Sequence, residues 1–430
     1  MKSIGIDIGT TSICGVMIDE VCGKVIKTKN VSSEAFITTE NSWEKIQDPK
    51  KILHIAKSIL EELLSKDPSS VRCIGITGQM HGIVYTDKNG EAVSPLYTWQ
   101  DGRGNLPYGD TTYARRLGSF SGYGNVTDFY NRENGLVPEN AVSYSTIHDY
   151  FAMHLCGLTT PLIHASDAAS LGLYDAVEKR FSYEHCKVSV TDEFEIIGEY
   201  CGIPVSVAIG DNQASVFATL ADDDSLLINV GTGSQISIVS NTPLYGENIE
   251  CRPYVGGKYL IVGAALCGGR AYSLLAKFYG EILSAAGVKT DDVYWIMARM
   301  ISGKGDTSLS VDTRFDGTRK NTEIRGSISG ISTSNFTAAD LTLGVLEGIT
   351  SELYGMYLEM GCERFGIVGS GNGIRKNPAL VSVAEKIFGG ELKVPEYPEE
   401  AACGAALFAL VACGAFTHSE VKKLIKYEDR

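Results

Sequence analysis

Ile6-Asp7-Ile8-Gly9-Thr10-Thr11-Ser12 and Ile228-Asn229-Val230-Gly231-Thr232-Gly233-Ser234 are two versions of one pattern. Each is an apolar strand ending in a glycine and hydroxyl turn that leads into a second apolar strand. From Ile6 to Ile228 is about half of the 430-residue chain. One such hairpin per half predicts two similar α/β domains, and the length exceeds the roughly 100–200 residues of a single ordinary domain. Asp222-Asp223-Asp224, just ahead of the second copy, predicts the junction, giving an N-terminal domain over 1–222 and a C-terminal domain over 223–430. No low-complexity linker separates them, so the connection is expected to be ordered.

Working outward from the first turn, Ser3–Ile8, Ser12–Asp19 and Lys24–Thr28 read as strands, with Glu20–Gly23 turning the chain. Trp43–Ser65 places Ile52, Ile55, Ala56, Ile59, Leu60 and Leu63 at helical spacing, and Pro68 stops it. Val71–Thr77 is a buried-type strand, and Asn89-Gly90 signals a short hairpin. Ala401 to Phe416 carries no charge but falls short of the ~20 residues a membrane helix needs, which predicts a buried helix.

Composition narrows the function. Hydrophobic residues are 44% and charged residues 21%, globular values. The net charge of −14 excludes general binding to nucleic acid or anionic membrane surfaces. Eleven scattered cysteines, with no C-x-x-C pair and no zinc spacing, predict free thiols in a reducing compartment. Asp7 interrupts the first apolar run, so no secretory signal is expected, and the localisation expected is cytoplasmic. No symmetric surface is legible, so a homodimer is left open.

The two turns suit phosphate. Glycine lets an anion approach the backbone N–H groups, and Thr10, Thr11, Thr232 and Ser234 add hydroxyls. Asp7, a carboxylate within an apolar strand, is costly without a partner, and Mg²⁺ or its water shell beside a phosphate is a natural one. Gly369-Ser370-Gly371-Asn372-Gly373 follows a strand and precedes Asn377 and a helix over Ala379–Phe388. That order suits a nucleotide or an ordinary glycine-rich turn, but it has neither Rossmann nor P-loop spacing. Gln79-Met80-His81-Gly82 ends a strand where ligands are often met, with His81 reading as a sugar-hydroxyl donor or as a satisfied turn histidine. Trp99, Asp101 and Arg103, within Thr98–Arg103, suit a polyol or form a surface loop with an ion pair. Asp211, at a strand end before a helix over Gln213–Leu220, reads equally as an N-cap or as a general base.

These motifs, in this order and across nearly the whole chain, resemble the FGGY family of carbohydrate kinases, within the actin/hexokinase-like (ribonuclease H-like) superfamily. The Gln79–Gly82 and Thr98–Arg103 segments, with Thr146-Ile147-His148-Asp149-Tyr150, Cys156-Gly157-Leu158 and Ala168-Ala169-Ser170, are most similar to the family's sedoheptulose-specific branch. Its xylulose-specific branch usually has Asn where Gln100 stands. Arg314–Arg319 follows the family's Gly-x-Arg region only loosely.

The resemblance implies two such domains around a cleft and ATP-dependent phosphorylation of a ketose primary hydroxyl, sedoheptulose before xylulose. Asp211 would be the general base, and Gln79, Met80, His81, Trp99, Asp101 and Arg103 the sugar site. Thr10, Thr11, Gly231, Thr232, Gly233, Gly371, Asn372 and Asn377 would hold ATP, with Asp7 positioning Mg²⁺. Conformational ATPases of the same superfamily are the rival class, but they have no use for the sugar-side segments.

Overall fold

The computed structural model describes residues 1–65, 67–290, 292–321 and 323–429. Lys2–Ile8 and Ser12–Asp19 pair antiparallel with Ile8 opposite Ile13, so residues 9–11 form the tight turn the sequence predicts. Lys2–Ile8 also runs parallel to Val71–Gly78. The sheet continues in the order Ile196–Tyr200, Ile203–Ser206, Val71–Gly78, Lys2–Ile8, Ser12–Asp19, Val25–Ser32, and Ile209–Gly210 adds beside the end of Val71–Gly78.

The second hairpin repeats this plan. Ser225–Val230 pairs antiparallel with Ser234–Ser240, Val230 opposite Ser234, and parallel with Gly366–Ser370. Five strands of that sheet lie in the order Tyr259–Ala265, Ser234–Ser240, Ser225–Val230, Gly366–Ser370, Leu392–Lys393.

The chain divides into two compact units, Met1–Ala221 with Arg252–Tyr259 and Tyr397–Lys426, and Asp222–Cys251 with Leu260–Glu396 and the terminus from Tyr427. The second unit thus begins at Asp222, and Arg252–Tyr259 and Tyr397–Lys426 group with the first. The apolar segment expected as a buried helix is Glu400–Ala412, and it packs in the first unit. A Cβ on Gly5 would sit 1.8 Å from the Ala402 carbonyl oxygen, and one on Gly75 1.8 Å from that of Ala405. Bare backbone on the strands is what lets this helix lie flat on the sheet. The opposite face takes Pro49–Leu64, where Gly15 meets Ile59 and Leu63. That helix begins later than predicted. Asp48 caps it, accepting from the N–H groups of Lys50 and Lys51, while Ile46–Gln47 forms a short strand against Leu96–Tyr97.

All eleven cysteines are free thiols. Among the described residues, no helix is long and apolar enough to cross a membrane.

Candidate active site

Strand register brings two carboxylates together in the first unit. Asp7 lies opposite Thr77, and Thr77 lies opposite Ile209, two residues before Asp211. Thr77 Oγ1 donates to the Ile209 carbonyl at 2.6 Å, clamping that strand end. Asp211 is the first residue of the helix Asp211–Thr219, whose cap is Gly210 and has no side-chain capping bond. The side chain of Asp211 is thus not spent as an N-cap.

Both carboxyls hold their protons more tightly than usual. Burial, then the charges of Asp211 and Glu399, pushes Asp7 up to about 7. Burial raises Asp211, opposed by His148, the Asn212 N–H and Arg252. Oδ1 of Asp7 is buried without a hydrogen-bond partner. A partnerless carboxylate oxygen beside two further carboxylates is an arrangement a divalent cation with its water shell would relieve, so the residues fit Mg²⁺.

The turn residue Thr10 is tied to the sugar-side segments. Its Oγ1 donates to Oε1 of Gln79 at 3.1 Å and accepts from Nε1 of Trp99 at 2.9 Å. Its carbonyl accepts from Nε2 of Gln47 and Oγ of Ser33. Nε2 of Gln79 donates to Oε1 of Gln47 at 2.9 Å, so both ends of the buried Gln79 amide are used in joining the turn to its neighbours. Thr11 stands exposed at the tip. Met80 is buried, and its Cε blocks any Cβ on Gly210. His81 adopts a left-handed φ of 73°. Its ring stacks on Tyr123 with centroids 4.3 Å apart, and its Nδ1 lies 2.9 Å from the Ser170 carbonyl, so Nδ1 carries the hydrogen. Trp99 is 47% exposed.

Asp101 and Arg103 form the ion pair offered as one reading, buried instead of on a surface loop. Each is 1% exposed. Arg103 Nε donates to Asp101 Oδ1 at 2.6 Å, its NH1 to Asn131 at 2.6 Å and its NH2 to Asp101 Oδ2 at 3.1 Å, while the guanidinium lies 4.1 Å from the Tyr97 ring centre. Asp101 Oδ2 also accepts from the Lys45 N–H. The pair braces the loop that carries Trp99, with its donors and acceptors matched within the protein.

In the second unit the turn Gly231-Thr232-Gly233 is gripped from outside the hairpin. The N–H groups of Gly268 and Arg270 donate to the Thr232 carbonyl, and that of Gly269 to the Gly231 carbonyl. A Cβ on Gly269 would come within 2.5 Å of the Gly231 oxygen. Gly371 and Gly373 follow the strand directly and open the helix Gly371–Lys376, without the loop expected from the sequence. A Cβ on either would strike Val230, at 2.6 Å from its carbonyl oxygen for Gly371 and 2.7 Å from its Cγ1 for Gly373. Packing against the strand Ser225–Val230 requires glycine at both positions, and at Gly371 a φ of 83° does so as well. Asn377, expected at the nucleotide, caps Pro378–Phe388 by accepting from the Leu380 N–H at 3.2 Å. Asn372 lies in the same short helix.

Several site neighbours were missed from sequence. Gln47 lay inside the stretch read as helix. Glu399 comes from the C-terminal return, and Gly268-Gly269, which grips the second turn, carried no reading from the sequence.

Comparison with known proteins accords with this arrangement. The N-terminal domain of the FGGY family of carbohydrate kinases matches residues 3–106, and its C-terminal domain matches residues 226–413. Sedoheptulokinases of Mus musculus and Homo sapiens are each 27% identical, covering 95% of this chain and 97% of the relative. A xylulose kinase of Staphylococcus epidermidis is 25% identical, covering 99% of this chain and 91% of the relative. Among solved structures, a xylulose kinase from Brucella ovis has a TM-score of 0.85 at 19% identity, covering 98% of this chain and 92% of that one. Plasmodium falciparum glycerol kinase with ADP has a TM-score of 0.78 at 17% identity, covering 98% and 91%. These likenesses show the two-domain α/β fold. With both domains matched, the chain belongs to the FGGY family of carbohydrate kinases.

Proposed function

We propose that this sugar kinase transfers the γ-phosphoryl group of ATP to a ketose primary hydroxyl, converting sedoheptulose to sedoheptulose 7-phosphate. The observation that carries the reading is Asp211, a carboxylate at a strand end that caps nothing and stands beside Asp7. Asp211 accepts the hydroxyl proton as the oxygen attacks the γ-phosphorus. The bond to the β–γ bridging oxygen breaks and ADP leaves. His81 and Trp99 form the sugar-side wall, with Gln79 holding that wall to the Thr10 turn. Thr11 in the first unit, and separately the Gly231–Gly233 turn in the second, carry backbone and hydroxyl donors of the kind that phosphate oxygens accept. Asp7 would hold Mg²⁺, which when bound would supply charge neutralisation at the phosphates. Eleven free thiols support a reducing, cytoplasmic setting.

Two relatives named sedoheptulokinase support sedoheptulose, while the xylulose kinases keep xylulose as the second reading. The test is ATP- and Mg²⁺-dependent ADP release with sedoheptulose, xylulose, ribulose, gluconate and glycerol, compared as kcat/KM. A preference for xylulose would retain the chemistry and overturn the substrate. ADP release indifferent to every sugar would overturn the kinase reading.

A further inference from the structure

Thr146-Ile147-His148-Asp149 and Asp167, which the reaction above leaves unused, meet inside the first unit. His148 and Asp167 are 0% exposed and Asp149 is 2% exposed. His148 Nε2 lies 2.9 Å from Asp167 Oδ1 and 3.3 Å from Thr146 Oγ1, and Thr146 Oγ1 donates to Asp149 Oδ2 at 2.7 Å. The remaining oxygens, Asp149 Oδ1 and Asp167 Oδ2, have no partner. An imidazole and two carboxyls withdrawn from water destabilise a core that apolar residues could fill.

Their placement gives them a use. A Cβ on Gly78 would come within 3.1 Å of His148 Cβ, and Gly78 is the strand residue opposite both Ile8 and Gly210. His148 is therefore seated against the strand ends that deliver Asp7 and Asp211. Asp167 lies in the helix Ala165–Leu171, whose serines reach two separate parts of the site. Ser166 Oγ accepts from the Gly210 N–H at 3.0 Å. Ser170 Oγ accepts from the His81 N–H at 3.2 Å, and its carbonyl accepts from His81 Nδ1.

We propose that His148 and Asp167 are positioning residues that lock the helix Ala165–Leu171, which through Ser166 and Ser170 sets Asp211 and His81 in one frame. The inference rests on the reading of Asp211 as the base. The ligand atoms of His148, Asp149 and Asp167 all lie within 4.8 Å of one another, a spacing a metal ion could also use. The 2.9 and 2.7 Å separations are donor–acceptor distances, which favour shared hydrogens over an ion.

The experiment measures kcat, both KM values and Tm for Ser166→Ala, Ser170→Ala, Asp167→Asn, His148→Gln, His148→Ala and Asp211→Asn. Ser166→Ala should lower kcat about 3- to 10-fold, the size of one hydrogen bond, with the sugar KM held. Ser170→Ala should raise the sugar KM by a similar factor with kcat held. Asp167→Asn should show both effects with the ATP KM within about twofold, and His148→Gln, which keeps a donor toward Asp167, should exceed His148→Ala in activity. The frame is overturned if both serine variants fold yet keep kcat and the sugar KM, or if only Tm moves. If Asp167→Asn does not fold, the serine pair decides. An inactive Asp211→Asn beside unaffected serine variants sinks the frame alone, whereas an active Asp211→Asn sinks the base and the frame together. A stoichiometric divalent ion in the purified enzyme that is lost in Asp167→Asn would also overturn it.

Discussion

Trp99 donates its indole N–H to Oγ1 of Thr10 at 2.9 Å, and that hydroxyl passes its own hydrogen to Oε1 of Gln79 at 3.1 Å. One hydrogen-bonded chain thus joins an exposed aromatic ring to the turn at residues 9–11. A ring that is 47% exposed gains little from burial, so the bond to Thr10 fixes where it stands.

Trp99→Phe keeps most of the ring and removes the donor. The loss of one hydrogen bond, about 1 kcal/mol, predicts a fall in kcat/KM of about fivefold with unchanged Tm. Steady-state kinetics with sugar and with ATP as the varied substrate check this, and both KM values should rise, since the bond joins both sides. An effect confined to one substrate would deny the coupling.

Asp211 must be ionised to accept a proton, and burial raises its pKa. Activity should therefore fall on the acid side at a higher pH than an ordinary carboxylate, near 3.9, would give. Against that burial stand His148, the Asn212 N–H and Arg252, each of which lowers its pKa. Arg252→Gln removes one lowering influence and should move the acid limb of kcat/KM upward. Asp211→Asn should lower turnover by at least about 10²-fold with Tm unchanged, as its shape is preserved. A limb that stays in place in Arg252→Gln would assign it to another group.

The hairpins were legible in the sequence because strand, turn and strand are local, so periodicity and one glycine define them. Asp211 was legible as a strand-end residue, but cap or base depended on Gly210 taking the cap. The return of Tyr397–Lys426 to the first unit was not legible. Its signal is Gly5, Gly75 and Gly404, whose bare Cα atoms matter only once helix and sheet touch. Asp101 and Arg103 stayed open between two readings because a carboxylate and a guanidinium two residues apart look alike in sequence whether they meet a sugar or each other.

The two readings of Arg103 are separable by experiment. Arg103→Lys cannot reproduce donors from Nε, NH1 and NH2 to Asp101 and Asn131. With the charge kept but Asn131 and one Asp101 oxygen left unpaired, the substitution should destabilise the protein by about 1–3 kcal/mol. Sugar KM per folded molecule should stay within about twofold, well short of the loss expected on removing a charged ligand contact. Urea unfolding read beside kinetics on the folded fraction separates the two. A stable variant with a greatly raised sugar KM would restore Arg103 to the sugar site.

Gly404 tests the helix return. A Cβ there would lie 1.8 Å from the Ala214 carbonyl oxygen, on the helix that Asp211 begins. Gly404→Ala should therefore cost about 1–3 kcal/mol or more through overpacking, although alanine favours helices in isolation. Because the strain bears on Asp211–Thr219, kcat should fall along with Tm. A variant as stable as the parent would contradict this packing.

Glu352 in the second unit gives the clearest pH signature of stability. Burial, opposed by Arg314 and reinforced by Asp312, raises its pKa from 4.5 to about 7. A carboxyl that holds its proton more tightly when folded stabilises the fold fully below its unfolded pKa of 4.5, and that contribution is lost as pH rises through about 7. Glu352→Gln, permanently neutral, should match the parent near pH 5 and exceed it at pH 8. Partial exposure screens the effect, leaving about 1 kcal/mol, or roughly 2–4 °C in Tm for a unit of this size. Thermal melts of both proteins across that range decide it. Parallel Tm curves would mean that Arg314 keeps Glu352 ionised throughout.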